Sequence, residues 1–299
     1  MSLLDLNGNV HGELRFKLEF NRTAAEVSSL ITDGLDNLLA QVGRSRSSVL
    51  AMGSAMPGPL GLDTKGQPKA VCEQYGQVID TVKENFKCST MVIDSNTNMA
   101  AVAELTTNQI SDGDLVLVIR IGHAIRTALL VDGNILRGSG GLAGELGHIR
   151  IPSSDLPCTC GAIGCINTVA SIGAIIDRCR ATGTDVKDFD DLVELCRSGN
   201  QDARRVVMQA GEAVGYGLAA AISLVAPHVV IVSGPAIMAD EFILGPLRDA
   251  VREVSIAEIY NGCRIIAGCA ANNAECYGAG LRALREVQVM DWSLLKVSP

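Results

Sequence analysis

No stretch of this sequence stays apolar for the roughly 20 residues that a bilayer crossing needs. The most apolar run, Leu218–Val225, is far too short, so no membrane helix is expected. The N-terminus lacks a basic stretch leading into an apolar one, so no secretion signal opens the chain and a cytoplasmic protein is expected. Clusters of Lys and Arg are also missing. With 25 basic against 33 acidic residues the net charge is −8, and a surface that grips phosphates alone needs concentrated cations. Short-period repeats, low-complexity linkers and runs of like charge are absent too. A disulfide framework does not suit a chain of this size. Seven of the ten cysteines (Cys72, Cys88, Cys179, Cys196, Cys263, Cys269 and Cys276) are scattered through apolar stretches, as core thiols are.

What is present is enough chain, 299 residues at 47% apolar, for one large domain or two medium ones. The first half reads as a β-hairpin turning at Asn7-Gly8, a helix opened by a Thr23/Glu26 capping box, a strand at Val49–Ser54, and a strand at Thr90–Ile93 running into a helix near Asn96–Glu104. The pattern then restarts with a hairpin over Leu115–Leu136 that turns at Asp132-Gly133. Helices near 171–180, 201–225, 239–252 and 273–287 alternate with strands at His228–Ser233 and Arg264–Ala267. Two successive blocks imply two α/β lobes, 1–109 and 110–299, hinged near 105–114, with a ligand expected in the cleft between them.

The remaining cysteines are bunched. Cys158, Cys160 and Cys165 form C-x-C-x₄-C, and His148 lies ten residues upstream. Three thiolates and one imidazole make a closed tetrahedral Zn²⁺ shell of the structural type. Gly161 and Gly164 allow the tight fold that such convergence needs. Iron–sulfur ligation would ask for a fourth thiolate.

The run Gly138-Ser-Gly-Gly-Leu-Ala-Gly-Glu-Leu-Gly-His148, followed by Cys158-Thr-Cys-Gly-Ala-Ile-Gly-Cys165, resembles the signature of the ROK family of repressors, open reading frames and kinases. Met56-Pro57-Gly58, Asn98–Glu104 and Ser233-Gly234 fit the same family. The resemblance implies an actin- and hexokinase-like (ribonuclease H-like) α/β fold in two lobes. It also implies an activity of one of two kinds: an ATP-dependent, glucokinase-like sugar kinase, or the sugar-sensing part of a NagC- or XylR-like regulator.

Three kinase parts depart from the pattern that the resemblance supplies. Family kinases place an Asp base in Asn-Asp-x-Asn, whereas Ser95-Asn96-Thr97-Asn98 stands here. Asn96 then occupies the base position, and an amide has no useful proton affinity near neutral pH. The second phosphate loop, Gly-Thr-Gly-Ile-Gly in the kinases, is Gly122-His123-Ala124-Ile125-Arg126. The first, Asp-x-Gly-Gly-Thr, would precede the Asp5–Gly8 turn by about one strand, so the 1–109 lobe is read as truncated before its first strand. ATP is therefore not expected to bind, and no catalytic residue is assigned. The resemblance assigns Glu145 to sugar hydroxyls, with Asn96, His148 and Asn167 as further ligand contacts; Asn167 replaces the family's usual Glu. His123 and His228 read as structural. The expected partners are a monosaccharide or sugar phosphate, one or three further copies of the chain, and DNA only through an N-terminal domain outside these residues.

Overall fold

The computed structural model describes residues 1–16, 22–57, 60–63, 68–70, 73–88, 90–111, 113–152, 154–269 and 273–287. The chain divides into two compact units. One comprises Met1–Ile110, Gly138–Leu142 and the stretch from Asn273; the other comprises Ser111–Arg137 and Ala143–Asn272. Gly58, Pro59 and Cys72, and the distal part of the opening hairpin, lie outside the described residues.

In the first unit, β1 (Ser2–Leu4) and β2 (Val10–Glu13) form an antiparallel hairpin. Its turn is fixed by the Asp5 carboxylate, which accepts the Asn7 and Asn9 N–H groups. Helix α1 (Ala24–Gln41) starts where the sequence places it. The Thr23 hydroxyl accepts the Glu26 N–H, and the Glu26 carboxylate accepts the Thr23 N–H. Two orphan donors are thereby satisfied, so Thr23→Ala is expected to cost about 1 kcal/mol in a denaturant-unfolding measurement. Strand β3 (Ala51–Met56) precedes a small antiparallel hairpin of β4 (Leu60–Leu62) and β5 (Pro68–Ala70). Helix α2 (Glu73–Phe86), which the sequence reading did not resolve, turns Val78, Val82 and Phe86 onto Leu39 of α1. Strand β6 (Thr90–Ser95) pairs in parallel with β3 and leads into α3 (Asn96–Thr107), capped by Ser95.

The second unit is built on one five-stranded mixed sheet. The antiparallel strands β7 (Val116–Ile121), β8 (Ile125–Val131) and β9 (Asn134–Leu136) come first. Helices α4 (Asn167–Ala170), α5 (Ile172–Ala181), α6 (Phe189–Arg197) and α7 (Gln201–Val225) follow. Next come β10 (Val229–Ser233), α8 (Asp240–Val254), α9 (Ala257–Gly262) and β11 (Arg264–Ala267). The sheet order is β11-β10-β7-β8-β9, with β10 parallel to both β7 and β11. Every residue of β10 is buried, which explains the unbroken apolar run Val229–Val232; the buried Ser233 hydroxyl that ends the strand donates to Ile119 O. His228 accepts the Leu115 N–H through Nδ1 at 2.9 Å, a structural contact at the sheet's end.

The last described helix, α10 (Ala274–Glu286), returns to the first unit and packs on α3 and β3. The expected 110–299 lobe is corrected here: its final helix belongs with the opening residues. Short-range periodicity predicts that a helix forms but not which sheet it covers. A second correction concerns Cys269, which is exposed rather than a core thiol, while Cys88, Cys179, Cys196 and Cys263 are buried as expected. Among the described residues no helix is long and apolar enough to cross a membrane.

Candidate functional site

Residues 143–167 of the second unit bring the cysteine motif and the Glu-x-Gly-His motif together. His148 closes a short 3₁₀ turn, Leu146–His148, and its N–H donates to the Glu145 carbonyl. The chain then crosses back on itself. Ile151 N–H donates to Gly164 O, Ile166 N–H to Ile149 O, and Cys158 N–H to Ala162 O. Gly161 and Gly164 sit at φ +91° and +81°, the left-handed region that side chains other than glycine's resist.

This knuckle puts one donor atom each from His148, Cys158, Cys160 and Cys165 within 4.8 Å of one another. Cys158 Sγ lies 3.6 Å from His148 Nδ1, and Cys160 Sγ lies 3.7 Å from Cys165 Sγ. Tetrahedral bonds of about 2.3 Å to sulfur and about 2.0 Å to nitrogen require ligand edges near 3.5–3.8 Å. The donor set and its spacing therefore fit a metal ion. The thiol acidities agree. Burial pushes Cys158 up, but hydrogen bonds from Cys160, Cys165 and His148 outweigh it and bring it down to about 7. Burial and the neighbouring sulfurs of Cys160 and Cys158 push Cys165 up to about 12. As thiols alone these sulfurs cannot all ionise together near neutral pH. A divalent cation removes that conflict.

Beside this cluster sits Glu145. Its Oε1 accepts Arg126 Nη1 at 2.8 Å, and its Oε2 lies 3.7 Å from His148 Nε2. Both side chains of the ion pair are partly exposed, so the carboxylate is held but reachable. His148 thus turns Nδ1 to the sulfurs and Nε2 to a carboxylate, the arrangement that fixes a ligating imidazole's orientation. Arg126, on β8, reads in sequence as an obstruction in a phosphate loop; the structure gives it a partner 19 residues away. Asn167, at the start of α4, accepts the Ile125 N–H through Oδ1 at 2.7 Å. Its carbonyl is thereby committed to the main chain of β8. A Cβ on Gly147 would lie 2.4 Å from both Asn167 Oδ1 and Ile125 O, which is why glycine separates Leu146 from His148.

The segment that the sequence reading compares with a phosphate loop is a turn, Gly122–Ala124, between β7 and β8; Gly122 O accepts the Ile172 N–H that opens α5. Asn96 belongs to the first unit. It is the first residue of α3, and its Oδ1 accepts the Thr97 hydroxyl at 3.3 Å. The neighbouring carboxylate, Asp94, is buried and accepts Ser95 N–H and Asn98 Nδ2, so it braces the helix start.

Comparison with known proteins agrees with this fold and motif set. The glucokinase of Halalkalibacterium halodurans is 26% identical over 90% of this chain and 88% of its own length. The DNA-binding transcriptional dual regulator NagC of Escherichia coli is 23% identical over 84% of this chain, which spans only 64% of NagC. The crystal structure of a ROK-family transcriptional regulator, a homologue of the E. coli MLC protein, superposes with a TM-score of 0.78 at 23% identity. That superposition covers 98% of this chain and 76% of the other. The ROK family model matches residues 1–286, and the chain belongs to the ROK family.

Proposed function

We propose that residues 1–299 form the sugar-sensing domain of a ROK-family transcriptional regulator, inactive as a kinase and carrying one structural Zn²⁺. The observation that carries this reading is the side chain at position 96. Transfer of a phosphoryl group to a sugar hydroxyl needs a base for the hydroxyl proton, and Asn96 brings an amide to the start of α3. The second phosphate loop is degraded as well, and its Arg126 is occupied by Glu145.

In this reading Glu145 accepts bonds from vicinal sugar hydroxyls. An ionised carboxylate offers about four lone-pair sites; Arg126 takes one and fixes the group's orientation, leaving sites for ligand. Zn²⁺, held by His148, Cys158, Cys160 and Cys165, pins the wall on which Glu145 stands. The regulator assembles from two or four copies, acts in the cytoplasm, and meets DNA through a domain outside these residues. An ATP-dependent phosphorylation assay over hexoses and N-acetylhexosamines tests the central claim. Turnover above the enzyme-free control sinks it.

The similarity to a glucokinase over 88% of its length favours a sugar kinase as the second reading. Asn96→Asp separates the two. Restoring the base alone is expected to leave phosphorylation undetectable, because Ala124 and Arg126 still stand where bare backbone would approach phosphate. Robust turnover in this variant overturns the argument that the kinase parts fail together.

A further inference from the structure

The sulfurs of the knuckle differ in how open they are. Cys165 is fully buried and Cys158 half-buried, but Cys160 is exposed. Cys160 stands on the turn Cys158–Ala162, in which Cys158 N–H donates to Ala162 O and Gly161 N–H donates to Cys158 O. A Cβ built on Gly161 meets nothing within 4 Å, so the tip of this turn is open. The Cys165 side is the reverse. A Cβ on Gly164 would lie 2.5 Å from Ser154 O, Cys165 forms a β-bridge with Arg150, and Ile166 N–H donates to Ile149 O. One sulfur is reachable, and its neighbour is anchored.

These two sulfurs are also close. Cys160 Sγ lies 3.7 Å from Cys165 Sγ, and rotation of the Cys160 side chain has to close only the gap between that distance and the about 2.05 Å of a disulfide. A bound divalent cation keeps clustered sulfurs deprotonated, and the thiolate is the nucleophile. An accessible thiolate set beside a second one is the arrangement of a redox-sensing pair. The other cysteines compete poorly. Cys88, Cys179, Cys196 and Cys263 are buried, and Cys269, the other exposed cysteine among the described residues, is not one of the clustered donors.

We propose that Cys160 is a site of oxidation by hydrogen peroxide, that Cys165 resolves it to a disulfide, and that this bond empties the metal site. The Cys160 thiolate attacks one peroxide oxygen; an S–O bond forms, the O–O bond breaks, and hydroxide leaves. The Cys165 thiolate then attacks the Cys160 sulfur, forming the S–S bond and expelling the second oxygen as hydroxide. Two thiolates and one peroxide thus give one disulfide and two hydroxides, with two electrons passing from sulfur to oxygen. His148 and Cys158 alone do not complete a tetrahedral shell. With the ion gone, the His148 ring loses what fixes its Nδ1, and its Nε2 contact with Glu145 loosens. The release step rests on the metal reading above; the disulfide does not.

The test treats the full chain, purified with its metal, with stepwise additions of hydrogen peroxide. Alkylation and peptide mapping follow each cysteine, and a chromogenic chelator follows released metal. The expected first product is the Cys160–Cys165 disulfide, with one metal ion released per disulfide and both changes reversed by a dithiol and added Zn²⁺. Cys160→His keeps four donors but removes the disulfide partner, and it should hold its metal roughly tenfold longer or more at the same peroxide concentration. Cys269→Ser should release metal at the wild-type rate. The proposal is overturned if Cys160 stays reduced or reacts after another cysteine, if it passes to sulfinic acid while Cys165 stays reduced, or if the disulfide forms and the metal stays. Protein that carries no metal before treatment defeats the metal reading instead, and the mapped disulfide still decides whether Cys160 and Cys165 are the reactive pair.

Discussion

Removing the metal with a strong chelator is expected to lower the melting temperature by roughly ten degrees or more. Structural zinc is worth about 10–16 kcal/mol in small peptides that fold only around it. Here the knuckle leans on a folded unit, so only part of that energy is at stake. Even about a third of it, near 4 kcal/mol, corresponds to about 10 °C at 2–4 °C per kcal/mol. The loosened part should be residues 143–167, where hydrogen exchange is expected to accelerate most. Cys165→Ser should behave like chelation, because its sulfur is fully buried and lies 3.7 Å from Cys160 Sγ. Retention should also fall as the pH is lowered, since protons compete for thiolates and imidazole. Elemental analysis of protein purified without chelator is expected to find one zinc per chain. Well under one, together with an unchanged melting temperature, rules the site out.

How much of this was readable in advance depended on whether the signal was local. The capping box at Thr23 and Glu26 and the full length of α7 were legible, because caps and a 3.6-residue period are written within a few turns. So was the convergence of His148, Cys158, Cys160 and Cys165 into one group that could hold a metal ion, because their spacing matters more than their surroundings. Helix α2 was missed: half its surface is charged or amide, and its buried stripe of Val78, Ile79, Val82 and Phe86 is only four residues wide. Helix α6 was missed for want of length, although Asp188 caps it. The return of α10 to the first unit and the pairing of Arg126 with Glu145 were illegible for another reason. Both depend on which distant surfaces the fold brings together, and no local pattern records that.

Glu145→Gln is expected to weaken sugar binding ten- to a hundredfold while leaving the fold and the metal content unchanged. A carboxylate accepts at both oxygens, whereas an amide accepts at one and donates at the other. Losing a charge-assisted bond costs about 1.5–3 kcal/mol, which is one to two decades in affinity. The substitution also releases Arg126, whose guanidinium lies 2.8 Å from Oε1, so the amide that replaces the carboxylate is held less firmly. Arg126→Ala is expected to weaken binding less, because it loosens the carboxylate without removing an acceptor. Asn167→Ala should act differently from both. Its Oδ1 holds the Ile125 N–H, and losing that bond leaves a partly buried donor unpaired at about 1–3 kcal/mol, so melting temperature should fall along with affinity. Calorimetry over monosaccharides and their 6-phosphates identifies the ligand first, and the three variants are then compared on it. If wild type and Glu145→Gln bind that ligand equally well, Glu145 does not touch sugar, and the ion pair with Arg126 is a structural brace for the knuckle.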